Sequence, residues 1–192
     1  MQTSYTYDKT FEKTEFSEVP LQKGEYEKCT FKSCNFSDID LSNFKFTDCE
    51  FISCNLSLAK LSKTALQDIK FMHCKMLGLR FDHCAEFNLS FSFKNCTLNH
   101  SSFYKTKIKK TVFKSCQLHD TDFSECELTA SVFEHCDLEG ATFDYSILEK
   151  TDFRTSFNYS IDPEKNRIKK AKFSINGVTG LLTKYDIEID NS

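Results

Sequence analysis

The sequence has no tryptophan, only two prolines and only five glycines in 192 residues. No Gly-rich phosphate loop is built from those glycines, and neither HExxH nor GxSxG occurs, so three common routes to catalysis are missing. No apolar run approaches the ~18 residues of a membrane-crossing helix. The start, MQTSYTYDKTFEKTEF, lacks a basic segment followed by an apolar one, which argues against a secretory signal and for a cytoplasmic protein. Charge imbalance is also small. The 25 Lys and Arg face 28 Asp and Glu, a formal net charge of −3, so non-specific attraction to nucleic acid is not expected of the whole chain.

Phenylalanine and cysteine are plentiful instead, at 20 and 10 residues. Every fifth residue from Phe93 reads Phe93, Leu98, Phe103, Ile108, Phe113, Leu118, Phe123, Leu128, Phe133, Leu138, Phe143, Leu148, Phe153. The same count runs earlier from Phe11 through Phe16, Leu21, Tyr26, Phe31 and onward to Met76 and Phe81. A period of five is neither helical nor a simple strand alternation. Self-similarity over so many units predicts a solenoid. Glu86 breaks the count, which resumes two residues out of phase, so two extra residues enter within 82–92 as a bulge or small loop.

A longer period of twenty lies over the first. Phe11, Phe31, Phe51 and Phe71 recur, as do Phe93, Phe113, Phe133, Phe153 and Phe173. Four five-residue sides therefore form one square coil, and coils stack at the ~4.8 Å of a β-ladder. Along the 93–153 stretch small or thiol-bearing residues stand two positions before the sampled ones, among them Cys96, Ser101, Thr106 and Thr111. All ten cysteines occupy such positions, which reads as reduced core spacers instead of a disulfide framework. Residues 1–10 are polar and lie outside the count, as a cover for the first coil.

The stretch CDLEGATFDYSILEKTDF at 136–153 resembles the pentapeptide-repeat pattern, and the resemblance extends over about 11–173. It implies an all-β fold, a right-handed quadrilateral β-helix. One domain spans 1–192, with repeats over 11–81 and 93–173 and a tail over 174–192. Asn158 and Pro163 fall on sampled positions, so a distorted coil is expected there. In the tail, Gly177–Tyr185 reads as a short helix and Asp186–Ile189 as a strand. Leu181, Leu182, Tyr185, Ile187 and Ile189 form an apolar surface that either caps the solenoid or pairs two copies. The tail resembles those of Qnr-like and microcin-B17-immunity proteins, which implies a homodimer through this region.

Candidate chemistry is confined to the outside. His73-Cys74, His83-Cys84 and His135-Cys136 suggest metal ligands, but neighbours on an extended chain point to opposite sides and cannot share an ion. No metal, cofactor or enzymatic activity is expected. From Gln117 to Asp152 stand ten acids, Asp120, Asp122, Glu125, Glu127, Glu134, Asp137, Glu139, Asp144, Glu149 and Asp152, against Lys150 alone, a formal −9. That segment is ~9 Å of solenoid, over which duplex DNA carries about five charges. The band is either a partner-binding imitation of DNA or a solvated surface that keeps the rod dispersed. Lys94 to Cys116 and Lys165 to Lys172 are basic, so charge is patterned along the rod. The Qnr-like resemblance implies binding to DNA gyrase or topoisomerase IV and protection from quinolones or a peptide toxin, with no direct contact to nucleic acid. A general interaction scaffold with another partner is the alternative.

Overall fold

The computed structural model describes residues 4–190. The chain winds into a parallel β-solenoid with four sides per coil. One side is a four-stranded sheet of β1 (Ser4–Tyr7), β3 (Gly24–Glu27), β5 (Lys45–Thr47) and β7 (Ala65–Gln67). The neighbouring side is a seven-stranded sheet of β2 (Thr10–Glu12), β4 (Thr30–Lys32), β6 (Glu50–Ile52), β8 (Ile69–Met72), β9 (Phe91–Lys94), β10 (Val112–Lys114) and β11 (Val132–Glu134). Every strand pair is parallel. The other two sides are joined by single bridges such as Asn35↔Asn55 and Asp122↔Thr142. β1 pairs with β3, so residues expected outside the pattern belong to the first coil.

The five-residue count becomes a set of inward columns. Phe93, Phe113 and Phe133 pile up with ring centroids 5.1 and 4.7 Å apart and nearly parallel planes. That column runs unbroken from Phe11 to Phe173. A second column, Phe81, Phe103, Phe123 and Phe143, stands opposite. The two columns meet edge to face across the tube, for example Phe113–Phe123 at 5.8 Å and 85°. Stacking within a column and T-shaped contact between columns are the favoured aromatic geometries.

The small residue two positions earlier has a polar task as well. The ladder leaves the carbonyl at the centre of each side without a backbone ladder donor. The next coil supplies one: Thr64 Oγ1 donates to Leu41 O at 2.7 Å, Ser156 Oγ to Phe133 O at 2.7 Å, and Cys136 Sγ to Phe113 O at 3.3 Å. This explains why the position accepts Ser, Thr and Cys, all small and all able to donate. All ten cysteines are buried and free, as expected. Burial pushes the Cys49 and Cys126 thiols up to about 12. His73, His83 and His135 are exposed while the following cysteines are buried, so each His-Cys pair is split between outside and inside.

The corners carry a constraint that periodicity did not reveal. The second residue after most central ones lies in the left-handed region, among them His100, Lys105, Lys110, Ser115, Asp120 and Glu125. None of the non-glycine residues with positive φ is Val, Ile or Thr. A branched Cβ is the least tolerant of that conformation.

The two inserted residues lie between Ala85 and Phe91. Ala85 N still bonds Thr64 O, whereas β9 pairs with Ile69 at an offset of twenty-two. Glu86, Phe87 and Asn88 bulge into solvent, and Leu89 and Phe91 fill the column that Glu86 leaves. The distorted coil is repaired similarly. Asn158 is exposed, and Tyr159 and Ile161 are buried in its stead.

The tail departs from expectation. Gly177–Tyr185 forms two 3₁₀ turns, Val178–Leu181 and Thr183–Tyr185, and no α-helix. Asp186–Ile189 is not a strand. Asp186 is left-handed at φ 49°, which breaks an extended run at its first residue. The 3₁₀ turns also occupy part of the end it would have joined, with Ile161 N bonded to Gly180 O at 2.9 Å. No helix among the described residues is long and apolar enough to cross a membrane.

Phe123→Ala removes a fully buried ring touched from four sides, and its expected cost is about 3–5 kcal/mol. Guanidinium unfolding should show a lowered midpoint. A change below about 1 kcal/mol would contradict the stacked core.

Candidate functional site

The ladder registers place residues twenty apart side by side, so each outward residue is assigned to a face. In the C-terminal half the first face is centred on Phe93, Phe113, Phe133 and Phe153. The second is centred on Leu98, Leu118 and Leu138. The third is centred on Phe103, Phe123 and Phe143, and the fourth on Ile108, Leu128, Leu148 and Ile168. The ten acids singled out in sequence fall on all four faces and do not form one band.

Asp120, Asp137 and Glu139 lie on the second face, and Asp122, Glu125 and Asp144 on the adjoining third. The remaining four lie on the first and fourth faces, and a Lys or Arg meets every one. Glu127 pairs with Lys109 at 2.8 Å, Glu134 with Lys114 at 2.6 Å, Glu149 with Arg167 at 2.7 Å and Asp152 with Arg154 at 2.7 Å. These pairs join adjacent coils or neighbouring positions of one coil. Their basic partners are exposed and the carboxylates half-buried, so each pair contributes modestly to stability, but each neutralises its carboxylate.

Summed over the outward residues of 92–172, the faces differ in sign. The fourth carries seven cations and two acids, net +5, and the first four cations and two acids, net +2. The second carries three acids and no Lys or Arg, net −3. The third carries two cations and five acids, also net −3. One side of the tube is therefore basic and the other acidic, within a chain whose net charge is only −3.

In this half no Lys or Arg among the described residues meets a carboxylate of the second face, whereas on the third every carboxylate but Asp122 meets a lysine. Asp122 bonds Thr142 Oγ1 at 3.1 Å and the Ser124 backbone at 2.9 Å, and no cation lies within 4.0 Å of it among the described residues. Asp120 meets only His100, at 3.5 Å. Glu125 and Asp144 do meet lysines, Lys105 at 3.4 Å and Lys165 at 3.5 Å. Gly140 sits at a left-handed corner with φ 68°, and a Cβ there would overlap Asp120 Oδ1. The missing side chain makes room for that carboxylate.

His119 Nε2 lies 2.8 Å from Asp137 Oδ2, with Glu139 close by, and potential ligand atoms of the three lie within 4.8 Å of one another. Sequence reading missed this group because its members are eighteen and twenty residues apart. Burial alone would raise the Asp137 pKa. Hydrogen bonds from His119 and Asn158 outweigh it and hold the carboxyl below its usual range. The Lys114 ammonium does the same for Glu134, and the Arg154 guanidinium for Asp152.

At the tail, Leu181 turns inward and packs against the core, and Leu182 is half-buried. Tyr185 Oη donates to Glu164 Oε1 at 3.0 Å, and Lys184 bridges Asp162 and Glu164 at 2.7 Å each. Tyr185, Ile187 and Ile189 are exposed, together with Ile175 and Val178.

A model of the pentapeptide repeat region matches residues 90–157, and a model of eight pentapeptide repeats matches 34–71. No curated protein sequence matches the chain significantly. Among solved structures it is similar to a trypsin-treated point variant of QnrB1, described as a plasmid-mediated fluoroquinolone resistance protein. The TM-score is 0.62 at 16% identity, covering 99% of this chain and 100% of that one. Full-length QnrB1 aligns with a TM-score of 0.56 at 17% identity, covering 96% and 100%. At these identities the likeness is one of fold.

A folded pKa below the unfolded value adds stability that is present above the unfolded value, roughly pH 4, and lost as pH falls through the folded one. The melting temperature should therefore be flat from about pH 6 to 5 and fall between about pH 4 and 2. A melting temperature that rose on acidification would contradict the pairing of Glu134, Asp137 and Asp152. The columns, the ladder and the two repeat matches, which together span more than half the chain, agree: this chain belongs to the pentapeptide-repeat proteins.

Proposed function

We propose that this chain is a non-enzymatic binding protein of the cytoplasm whose acidic second and third faces occupy a DNA-binding surface of DNA gyrase or topoisomerase IV. It would thereby relieve poisoning by a quinolone or a peptide toxin. The observation that carries the reading is the gathering of Asp120, Asp122, Glu125, Asp137, Glu139 and Asp144 on two adjoining flat faces. Their spacing is set by a rigid ladder, which suits a surface made to resemble a row of phosphates. The fold shared with QnrB1, described as a fluoroquinolone resistance protein, is in keeping with a role against that drug class. Glu127, Glu134, Glu149 and Asp152 are left out of this surface, since they lie on the first and fourth faces.

The test is gyrase supercoiling with ciprofloxacin or microcin B17, with and without the protein. The expected result is restored supercoiling. Changing Asp120, Asp122, Glu139 and Asp144 to Lys should lower the protection at least tenfold, while Glu127→Gln with Glu149→Gln should leave it within about twofold. No rescue together with no binding to either topoisomerase would overturn the proposal and favour a scaffold for another partner.

The reading includes a homodimer formed through the tail residues Leu181, Leu182, Tyr185, Ile187 and Ile189. The exposed isoleucines Ile187 and Ile189, and Ile175 at 91% exposure, support it. Light scattering should give twice the 22.3 kDa chain mass, and Ile187→Asp with Ile189→Asp should halve that value. A wild-type mass of 22.3 kDa would refute the dimer.

A further inference from the structure

We propose that the basic side of the C-terminal half, chiefly the fourth face, binds the phosphate backbone of duplex DNA without reading its sequence. This is a second surface on the opposite side from the acidic one, and it does not rest on the topoisomerase reading. It is also contrary to what the net charge of the whole chain suggests.

Three observations carry it. The first is uncompensated charge. Lys107, Lys110, Lys150, Lys169 and Lys170 on this face are exposed, and no carboxylate lies within 4.0 Å of any of them among the described residues. The two acids of the face, Glu127 and Glu149, are already paired with Lys109 and Arg167. They do not offset the field of the free lysines.

The second is geometry. Lys107, Glu127, Ile147 and Arg167 are bridged in succession, so the face is a flat wall of four rows. Three steps of ~4.8 Å make it ~14 Å tall. Lys110, Lys150 and Lys170 stand in one corner column with φ of 58°, 60° and 61°, so backbone geometry holds their stems in line. Duplex DNA carries one charge per ~1.7 Å, about eight over the same length, of which roughly half face one side. Five free lysines match that number.

The third is the chemistry of the face. Its free cations are all lysine, a point charge suited to phosphate, and its only arginine is held by Glu149. No aromatic side chain is present on which unpaired bases could stack, which disfavours single strands. No Asn or Gln points outward to read base edges, since the one asparagine of the face, Asn166, is buried. An acidic protein partner would be expected to need an apolar anchor, and the face offers only the half-buried Ile147.

The test is fluorescence anisotropy of the full chain with labelled duplexes of about 20 base pairs and two unrelated sequences, from about 50 to 200 mM KCl. Both duplexes should bind alike, with log K falling on log[KCl] at a slope of about −4.5 for five lysines. Lys110→Gln, Lys150→Gln and Lys170→Gln together should make the slope shallower by nearly three and weaken binding more than tenfold at about 100 mM KCl. The melting temperature of that variant should stay unchanged. Lys60→Gln, Lys63→Gln and Lys75→Gln remove as much charge elsewhere and should leave the slope within about one of wild type. No binding at the lowest salt would overturn the proposal. So would equal loss in both triple variants, or tighter binding to a single strand or to poly-glutamate than to the duplex.

Discussion

Each bulky inward side chain rests on its equivalent one coil away, and in the longest column the rings are 4.7 to 5.5 Å apart. That repeat is the stacking distance of the backbone ladder, so one spacing serves both the hydrogen bonds and the rings. The inner wall takes two of every five residues. One fills the column, and the other is mostly small; where it is Ser, Thr or Cys it can give its O–H or S–H to a carbonyl below. A polar substitution at the bulky position would bury polar atoms without partners in the column, whereas the second position takes a large residue in some coils, as Phe44 does against Tyr26 and Phe46. The interior therefore allows few solutions. Phe, Leu and Ile alternate mostly with Ser, Thr, Ala and Cys, with Phe44, Ile69, Leu79 and Phe91 among the large exceptions.

What remains outside is free to vary, and it varies in charge. Residues twenty apart in sequence become neighbours, so Lys105 meets Glu125 and Lys114 meets Glu134. Basic and acidic stretches that alternate along the chain are sorted by the winding into opposite sides of the tube. The result is a rod with a transverse charge difference, which a near-neutral composition conceals. Such a rod can present one sign to one partner and the other sign to a second.

The architecture was legible in the sequence because a period of five with one bulky residue per unit leaves no helix or sheet as an alternative. The two-residue slip at 82–92 was legible for the same reason, since Glu86 could not occupy a sealed column. The site was less legible. The acidic run from Asp120 to Asp152 is contiguous in the chain but divides among four faces, and six of its members meet a Lys or Arg from outside that run. The group of His119, Asp137 and Glu139 forms only through stacking. The tail departs from its sequence pattern because the regular repeat stops there. Asp186–Ile189 alternates like a strand, yet a left-handed residue starts it and the end of the tube is already partly covered. The left-handed corners could have been found by noting that no Val, Ile or Thr occurs at them.

Titration of the thiols tests the inward assignment most directly, because all ten cysteines stand at the small inner position. With Ellman's reagent under mildly alkaline conditions, the native protein should release less than one equivalent of chromophore within minutes and ten after unfolding in guanidinium. Several equivalents released at once by the native protein would contradict the placement of these residues inside a closed tube.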